Sequence, residues 1–167
     1  MNVQEATTRR LPDLKERHLP ENCRETINTI LKETYGYEQF RNLEIYDDLS
    51  KGKEKLCISQ GQLIENVILE AEKAWKGETQ VDNILLTAPT GSGKSLLFQL
   101  PAIYLGKEYN LLTIVVSPLK ALIVDQVESL QELGYTRVAY ASSDLSPEQK
   151  MEVYRQVREG EIDLFYL

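Results

Sequence analysis

The sequence predicts an α/β fold, a parallel sheet flanked by helices and preceded by a helical N-terminal region, and two observations carry that prediction. From about residue 78 onward, short apolar runs alternate with segments of helical periodicity, the pattern of strands joined by crossover helices. Between the first such run, Ile84-Leu85-Leu86, and the first such helix, Leu96-Leu97-Phe98-Gln99-Leu100, lies a glycine-bearing loop, Ala88-Pro89-Thr90-Gly91-Ser92-Gly93-Lys94-Ser95. The 167 residues suffice for one domain with a real core, and 42% hydrophobic with 27% charged residues is ordinary globular composition.

Three segments follow in order: a leader over 1–20, a helical region over 21–77 and the sheet-bearing part over 78–167. Residues 1–20 are polar and hold two prolines, so a flexible leader is expected, with His18, the single histidine, solvent-exposed in it. Cys23, Ile27, Ile30 and Leu31 fall on one face of a helix within 21–35, and Gly36 suits its C′ stop. A second helical stretch is expected around 38–49, ending in the lysine-rich run Lys51-Gly52-Lys53-Glu54-Lys55, read as a solvated loop. Leu63, Val67, Ile68, Ala71, Ala74 and Trp75 recur at helical spacing over 62–75, with Trp75 expected as a core anchor. Strands are then placed at about 83–88, 111–117, 137–141 and 163–167. Helices fill the gaps at about 94–105, 119–133 and 147–159, the last with Ser146 as N-cap and Pro147 at N1.

A formal net charge of −7 excludes a protein that grips nucleic acid through bulk positive charge, so any such contact must be local. Cys23 and Cys57 form no C-x-x-C pair, which excludes a disulfide framework and a zinc-ligand spacing. The N-terminus has no apolar signal core, and no run reaches the ~18 apolar residues of a membrane span. A cytoplasmic protein without a membrane partner is expected.

Strand, glycine loop and helix in that order build a phosphate site. Gly91 and Gly93 let the backbone curl so that successive N–H groups face phosphate oxygens at the positive end of the following helix. Lys94 would reach the β and γ phosphates, and the Ser95 hydroxyl would complete a Mg²⁺ shell. The motif reads A-x-T-G-x-G-K-S, with Ala88 where G-x-x-x-x-G-K-[ST] has its first glycine.

That form resembles the helicase branch of P-loop proteins, and the chain is similar to superfamily-two DNA helicases of the RecQ-like group. Gln99-Leu100-Pro101 matches a Q-L-P signature, Val116-Ser117-Pro118-Leu119-Lys120-Ala121-Leu122 is similar to helicase motif Ia, and Asp125-Gln126-Val127 matches a D-Q-V segment. Asp163-Leu164-Phe165-Tyr166-Leu167 looks like the strand ahead of a Ser-Pro-Glu. The resemblance implies a P-loop NTPase (RecA-like) sheet, incomplete here. It implies ATP with Mg²⁺ as cofactor, held by Thr90, Gly91, Ser92, Gly93, Lys94 and Ser95, with Lys94 and Ser95 catalytic and Ser95 the metal contact. Single-stranded or partly duplex DNA, rather than RNA, would lie along Ser117, Pro118 and Lys120. Physically, Ser117 and Lys120 stand at the C-terminal end of a parallel strand, where open sheets bind ligands. Ser117-Pro118 also reads as a helix start, with Ser117 as N-cap.

Upstream, the segment Leu31-Lys32-Glu33-Thr34-Tyr35-Gly36-Tyr37-Glu38-Gln39-Phe40-Arg41 resembles the RecQ-type segment that runs into an adenine-reading glutamine. The expected position carries Glu44, whose carboxylate cannot donate the second bond of an amide–adenine pair. Gln62 is the candidate, with 51–60 part of an insertion; the alternative is that Gln62 merely starts a helix.

Hydrolysis needs acidic residues on a later strand. Ala121-Leu122-Ile123-Val124-Asp125 imitates one, but it follows the strand ending near Ser117 too closely for a parallel crossover of roughly a dozen residues, and its apolar spacing is helical. It is read as a helix with Asp125 away from the buried face. No D-E-x-H occurs. The chain is therefore expected to be the N-terminal piece of a longer helicase, the remainder being its partner, with negligible hydrolysis alone. Two alternatives stand beside it: another P-loop enzyme such as a small-molecule kinase, in which the SPLKAL segment only caps a helix, and a non-catalytic nucleotide-binding interaction module.

Overall fold

The computed structural model describes residues 23–46, 55–87 and 91–167. The leader, the lysine-rich run up to Glu54, and Ala88, Pro89 and Thr90 lie outside the described residues. In order, the elements are α1 (Glu25–Tyr35), β1 (Asn42–Tyr46), β2 (Lys55–Ser59), α2 (Gln60–Trp75), α3 (Leu96–Tyr109), β3 (Thr113–Val115), α4 (Lys120–Glu132), β4 (Val138–Tyr140), α5 (Pro147–Arg158) and β5 (Leu164–Tyr166).

A three-stranded parallel sheet, ordered β3-β5-β4, forms the expected α/β unit. It matches three of the four strands placed in 78–167. The fourth, at 83–88, is not a strand over its described residues: 81–87 belongs to no helix or ladder, and Leu85 is 74% exposed. A strand needs a neighbour to take its backbone bonds, and a cavity of about 810 Å³ separates this segment from the free edge of β3.

The helical stretch expected around 38–49 is instead β1, paired antiparallel with β2 in the register Asn42↔Ser59. Asn-Leu-Glu-Ile-Tyr and Lys-Leu-Cys-Ile-Ser both alternate polar and apolar residues, a period of two that outweighs the weak helical reading. Glu44 sits opposite Cys57 on this hairpin and is exposed.

α3 is apolar on nearly every face and is the axis of the core. Leu100, Ala102 and Ile103 are fully buried, and α1, α2, β3 and β5 all pack on it. One cluster joins Ile27, Ile30 and Leu31 of α1 with Ile64 and Ile68 of α2, Ile123, Val127 and Leu130 of α4, and Leu164 and Tyr166 of β5. α1 ends on Gly36 in the left-handed region at φ 70°, as its position suggested. Ser146 caps α5 through a reciprocal box with Gln149, with Pro147 at N1. α4 is a helix, and Asp125 faces away from the core.

Two expectations for side chains change. Trp75 is 57% exposed rather than a core anchor. Trp75 is the last residue of α2, and its ring lies 6.4 Å from that of Tyr109, the last residue of α3, so it stands at the solvent-facing end of the helix pair. Leu119, Leu122 and Leu133 are exposed, leaving Ile123, Val127 and Leu130 as the buried stripe of α4.

Charges inside the helical layer are paired. Arg24, just before α1, donates to Glu65 at 2.7 Å and to Glu72 at 2.7 Å, and the Tyr109 hydroxyl donates to Glu72 at 2.8 Å. The guanidinium holds the Glu72 carboxyl below its ordinary 4.5. A carboxyl whose pKa is lower folded than unfolded stabilises the fold above its unfolded pKa, and that contribution is lost as pH falls through the folded value. The thermal midpoint should therefore drop on acidification below about 4.5, and Glu72→Gln should flatten that drop. Melting curves across a pH series check this; an identical acid slope in both proteins would refute it.

Candidate functional site

The glycine loop enters α3 as a tight turn. Gly91 and Gly93 both lie in the left-handed region, at φ 82° and 79°, where a side chain is strained and glycine is not. The loop then closes into helix, with Leu96 N–H donating to Gly93 C=O at 3.2 Å and Leu97 N–H to Lys94 C=O at 3.0 Å. This leaves the backbone N–H groups of the loop at the positive end of a 14-residue helix. Ser92 Oγ is buried without a hydrogen-bond partner, alone in this among the side chains of the described residues. A buried orphan hydroxyl is costly unless something else satisfies it, so the loop fits a polar ligand. Thr90 lies outside the described residues.

Lys94 and Ser95 line the 810 Å³ cavity together with Ser117 at the end of β3. Three of the sequence-derived candidates thus face one space, walled also by α2, residues 81–86, the start of α3, the sheet at Val115 and Tyr166, and α4. Gln62 and Lys120 do not line it. Gln62 is the third residue of α2, and its Oε1 accepts from Ser59 N–H at 3.0 Å in a capping box.

Ser117 is half-buried; its N–H donates to Leu167 C=O at 2.9 Å and its Oγ accepts from Leu119 N–H at 3.4 Å. It is not the helix N-cap: α4 begins at Lys120, with Leu119 in the cap position. The bond to Leu167 keeps Ser117 extended alongside β5, which delays the helix. Pro118 and Lys120 are exposed. The Lys120 ammonium bonds the Ser143 hydroxyl and, at 3.0 Å, the Asp144 carboxylate, and it holds that carboxyl below its ordinary range.

Two buried amides stand near the site: Gln99, whose Q-L-P signature gave no contact, and Gln60, which the sequence placed at the end of an insertion. Gln99 accepts from the Tyr35 hydroxyl at 3.2 Å and donates to Gln126 at 3.0 Å and to the Tyr166 hydroxyl at 3.2 Å, tying α1, α3, α4 and β5 together. Gln60, 2% exposed, reaches the glycine loop itself: its Nε2 donates to Ser92 C=O at 3.2 Å. Periodicity marks apolar faces and is silent about a polar side chain that turns inward. The cue for Gln60 lies in the hairpin. Gln60 N–H donates to Arg41 C=O at 2.9 Å and Arg41 N–H to Gln60 Oε1 at 3.1 Å, so the chain leaves at Arg41 and returns beside it at Gln60. The paired strands β1 and β2 therefore lie between Arg41 and Gln60-Gly61-Gln62, and Gln60, which the sequence placed in an insertion, is the first residue of α2.

Parallel strands with crossover helices, and a left-handed glycine turn opening the first of those helices, define an α/β protein with a phosphate-type loop. The family model described as DEAD/DEAH box helicase matches residues 60–167, and the chain belongs to that family. It is similar to proteins named ATP-dependent DNA helicase RecQ. That of Synechocystis sp. is 32% identical over 144 residues, 86% of this chain and 23% of the relative. Those of Haemophilus influenzae and Bacillus subtilis are 30% and 31% identical, covering 85% and 83% of this chain and 18% of each relative. The chain therefore spans less than a quarter of the length of these curated relatives. No helix among the described residues is long and apolar enough to cross a membrane.

Proposed function

We propose that this chain is the ATP-binding portion of a cytoplasmic ATP-dependent DNA helicase. In this reading residues 78–167 are part of a RecA-like P-loop unit, and 21–77 supply its adenine side. The observation that carries it is the pair of left-handed glycines, Gly91 and Gly93, running into α3 within the span of the family match. The names of the relatives support ATP as the nucleotide and DNA as the partner.

The N–H groups of 91–95 would receive phosphate oxygens, with Thr90 completing the loop. Lys94 would add a point charge at the β and γ phosphates, and Ser92 Oγ a further polar contact. Mg²⁺, held by Ser95 Oγ and by the phosphates, would neutralise charge as the terminal phosphoryl leaves. Gln62 would read adenine by exchanging the Ser59 N–H for the adenine amino group, since an amide offers both an acceptor and a donor to the N6 and N7 edge. The acidic pair that positions the attacking water is absent from this sequence. The open slot between 81–87 and β3 is where we place the strand that carries it.

Calorimetric titration with Mg·ATP tests the reading, and no binding would sink it in favour of a non-catalytic module. Turnover by this chain alone should stay below about one per second. In the protein that includes the acidic pair, stimulation of hydrolysis by DNA separates a helicase from a small-molecule kinase.

Single-stranded DNA would meet the end of β3 at Ser117, Pro118 and Lys120. Because Lys120 is engaged with Asp144, a phosphate would compete with that carboxylate. Lys120→Ala should weaken single-stranded DNA binding and lower the salt slope by about one, whereas Asp144→Asn should strengthen binding. Fluorescence anisotropy at several salt concentrations measures both; unchanged slopes would remove Lys120 from the path.

A further inference from the structure

We infer that Gln60 is a positioning residue for the phosphate loop, one side-chain amide that clamps the loop to the base of the β1–β2 hairpin. The inference rests on reading the loop as a nucleotide site. Gln60 is 2% exposed, so its amide must be satisfied within the protein. Its oxygen takes the Arg41 N–H at 3.1 Å. Its nitrogen donates to Ser92 C=O at 3.2 Å, with Gly93 C=O at a longer 3.5 Å.

The direction of those bonds matters. In a trans peptide the C=O and the following N–H point to opposite sides. Drawing the Ser92 and Gly93 carbonyls toward Gln60 turns the Gly93 and Lys94 N–H groups the other way, away from the hairpin. Two of the amides expected to receive phosphate are thereby aimed before any ligand arrives, which saves their ordering on binding. The approach is close enough to dictate the neighbouring residue: a Cβ at position 93 would lie 2.6 Å from Gln60 Nε2. Gly93 therefore answers two demands, its φ of 79° and the space taken by Gln60. Because the same amide closes the hairpin at Arg41, the loop and the hairpin base are mechanically joined.

Gln60→Glu separates the two jobs. A carboxylate still accepts from Arg41 N–H but cannot donate to the loop carbonyls and repels them. It should weaken Mg·ATP and Mg·ADP binding about tenfold, leave adenosine binding unchanged, and speed deuterium uptake over 91–96 in the nucleotide-free protein severalfold. Gln60→Met, which fills the same space without a donor, should reproduce both effects, with circular dichroism confirming that each variant folds. Wild-type affinity for both nucleotides together with wild-type exchange in the two variants would overturn the inference. If the unaltered protein binds no Mg·ATP, the nucleotide reading fails; faster loop exchange in Gln60→Glu would still support the clamp.

Discussion

Lys94→Ala is expected to weaken Mg·ATP binding by about a hundredfold, close to 3 kcal/mol. Lys94 lies two residues ahead of α3, beside Ser95, and both line the cavity into which the loop opens. A charge-assisted contact to phosphate contributes more than a neutral hydrogen bond, and here it adds to the field of the helix N-terminus. Lys94→Arg tests the chemistry within the loop: it keeps the charge but replaces a compact ammonium with a wide planar fork, and it should recover only part of the affinity. Isothermal titration of the three proteins reads the effect. An alanine variant binding within about twofold of the parent would mean that the loop does not hold the phosphates by this lysine. In the protein that carries the acidic pair, the same change should abolish DNA-stimulated hydrolysis, because positioning of the terminal phosphate precedes any chemistry.

The largest loss of stability is expected at Asp163. Its carboxylate is 1% exposed and accepts from the Tyr135 hydroxyl at 2.6 Å, from Arg137 Nε at 2.7 Å and from Arg137 Nη2 at 2.7 Å. The backbone of α3 presses against it: a Cβ at Gly106 would fall 2.3 Å from its Cγ. Removing one partner of such a group leaves the others desolvated and unpaired. Since the Arg137 side chain is 42% exposed and can turn to water, Asp163→Ala should cost about 2–3 kcal/mol, less than the roughly 3–5 kcal/mol of a fully buried pair. For a chain of this size that is a fall of roughly 4–12 °C in the thermal midpoint. Asp163 also sets the register at the start of β5, since its C=O accepts from Thr113 N–H at 2.7 Å and its N–H donates to Arg137 C=O at 2.9 Å. A midpoint within 1 °C of the parent would show that the cluster contributes nothing net to stability. Replacing Lys32, whose exposed pair with Glu38 is bathed in solvent, should leave the midpoint unchanged and serves as the control.

Much of the molecule was legible in one dimension because its signals are local. The α5 cap at Ser146, the stop at Gly36, the helical reading of Asp125 and the glycine loop ahead of Leu96 each depend on a few adjacent residues. Other features turned on neighbours distant in the chain. Residues 83–88 have the apolar character of a strand, yet strand formation is a property of two segments, and none of the described strands lies alongside. Trp75 continues a helical stripe, but it is the last residue of α2 and meets the last residue of α3, Tyr109, where the core ends. The hairpin was within reach, since both its strands alternate with a period of two.

Taken alone, the amino-acid order determined the α/β class, the glycine turn ahead of the first crossover helix, the stop at Gly36, the cap at Ser146 and the family, all of which are written in short motifs and periodicities. Only the tertiary structure decided that 42–46 and 55–59 pair as two strands, that Lys94, Ser95 and Ser117 face one cavity while Gln62 and Lys120 do not, and that Gln60 grips the loop. The physical reason is the same in each case. Buried polar groups must be satisfied wherever a partner can be found, and the partners of Gln60 are 19 residues back, at Arg41, and 32 residues ahead, at Ser92, a pairing that no local pattern encodes.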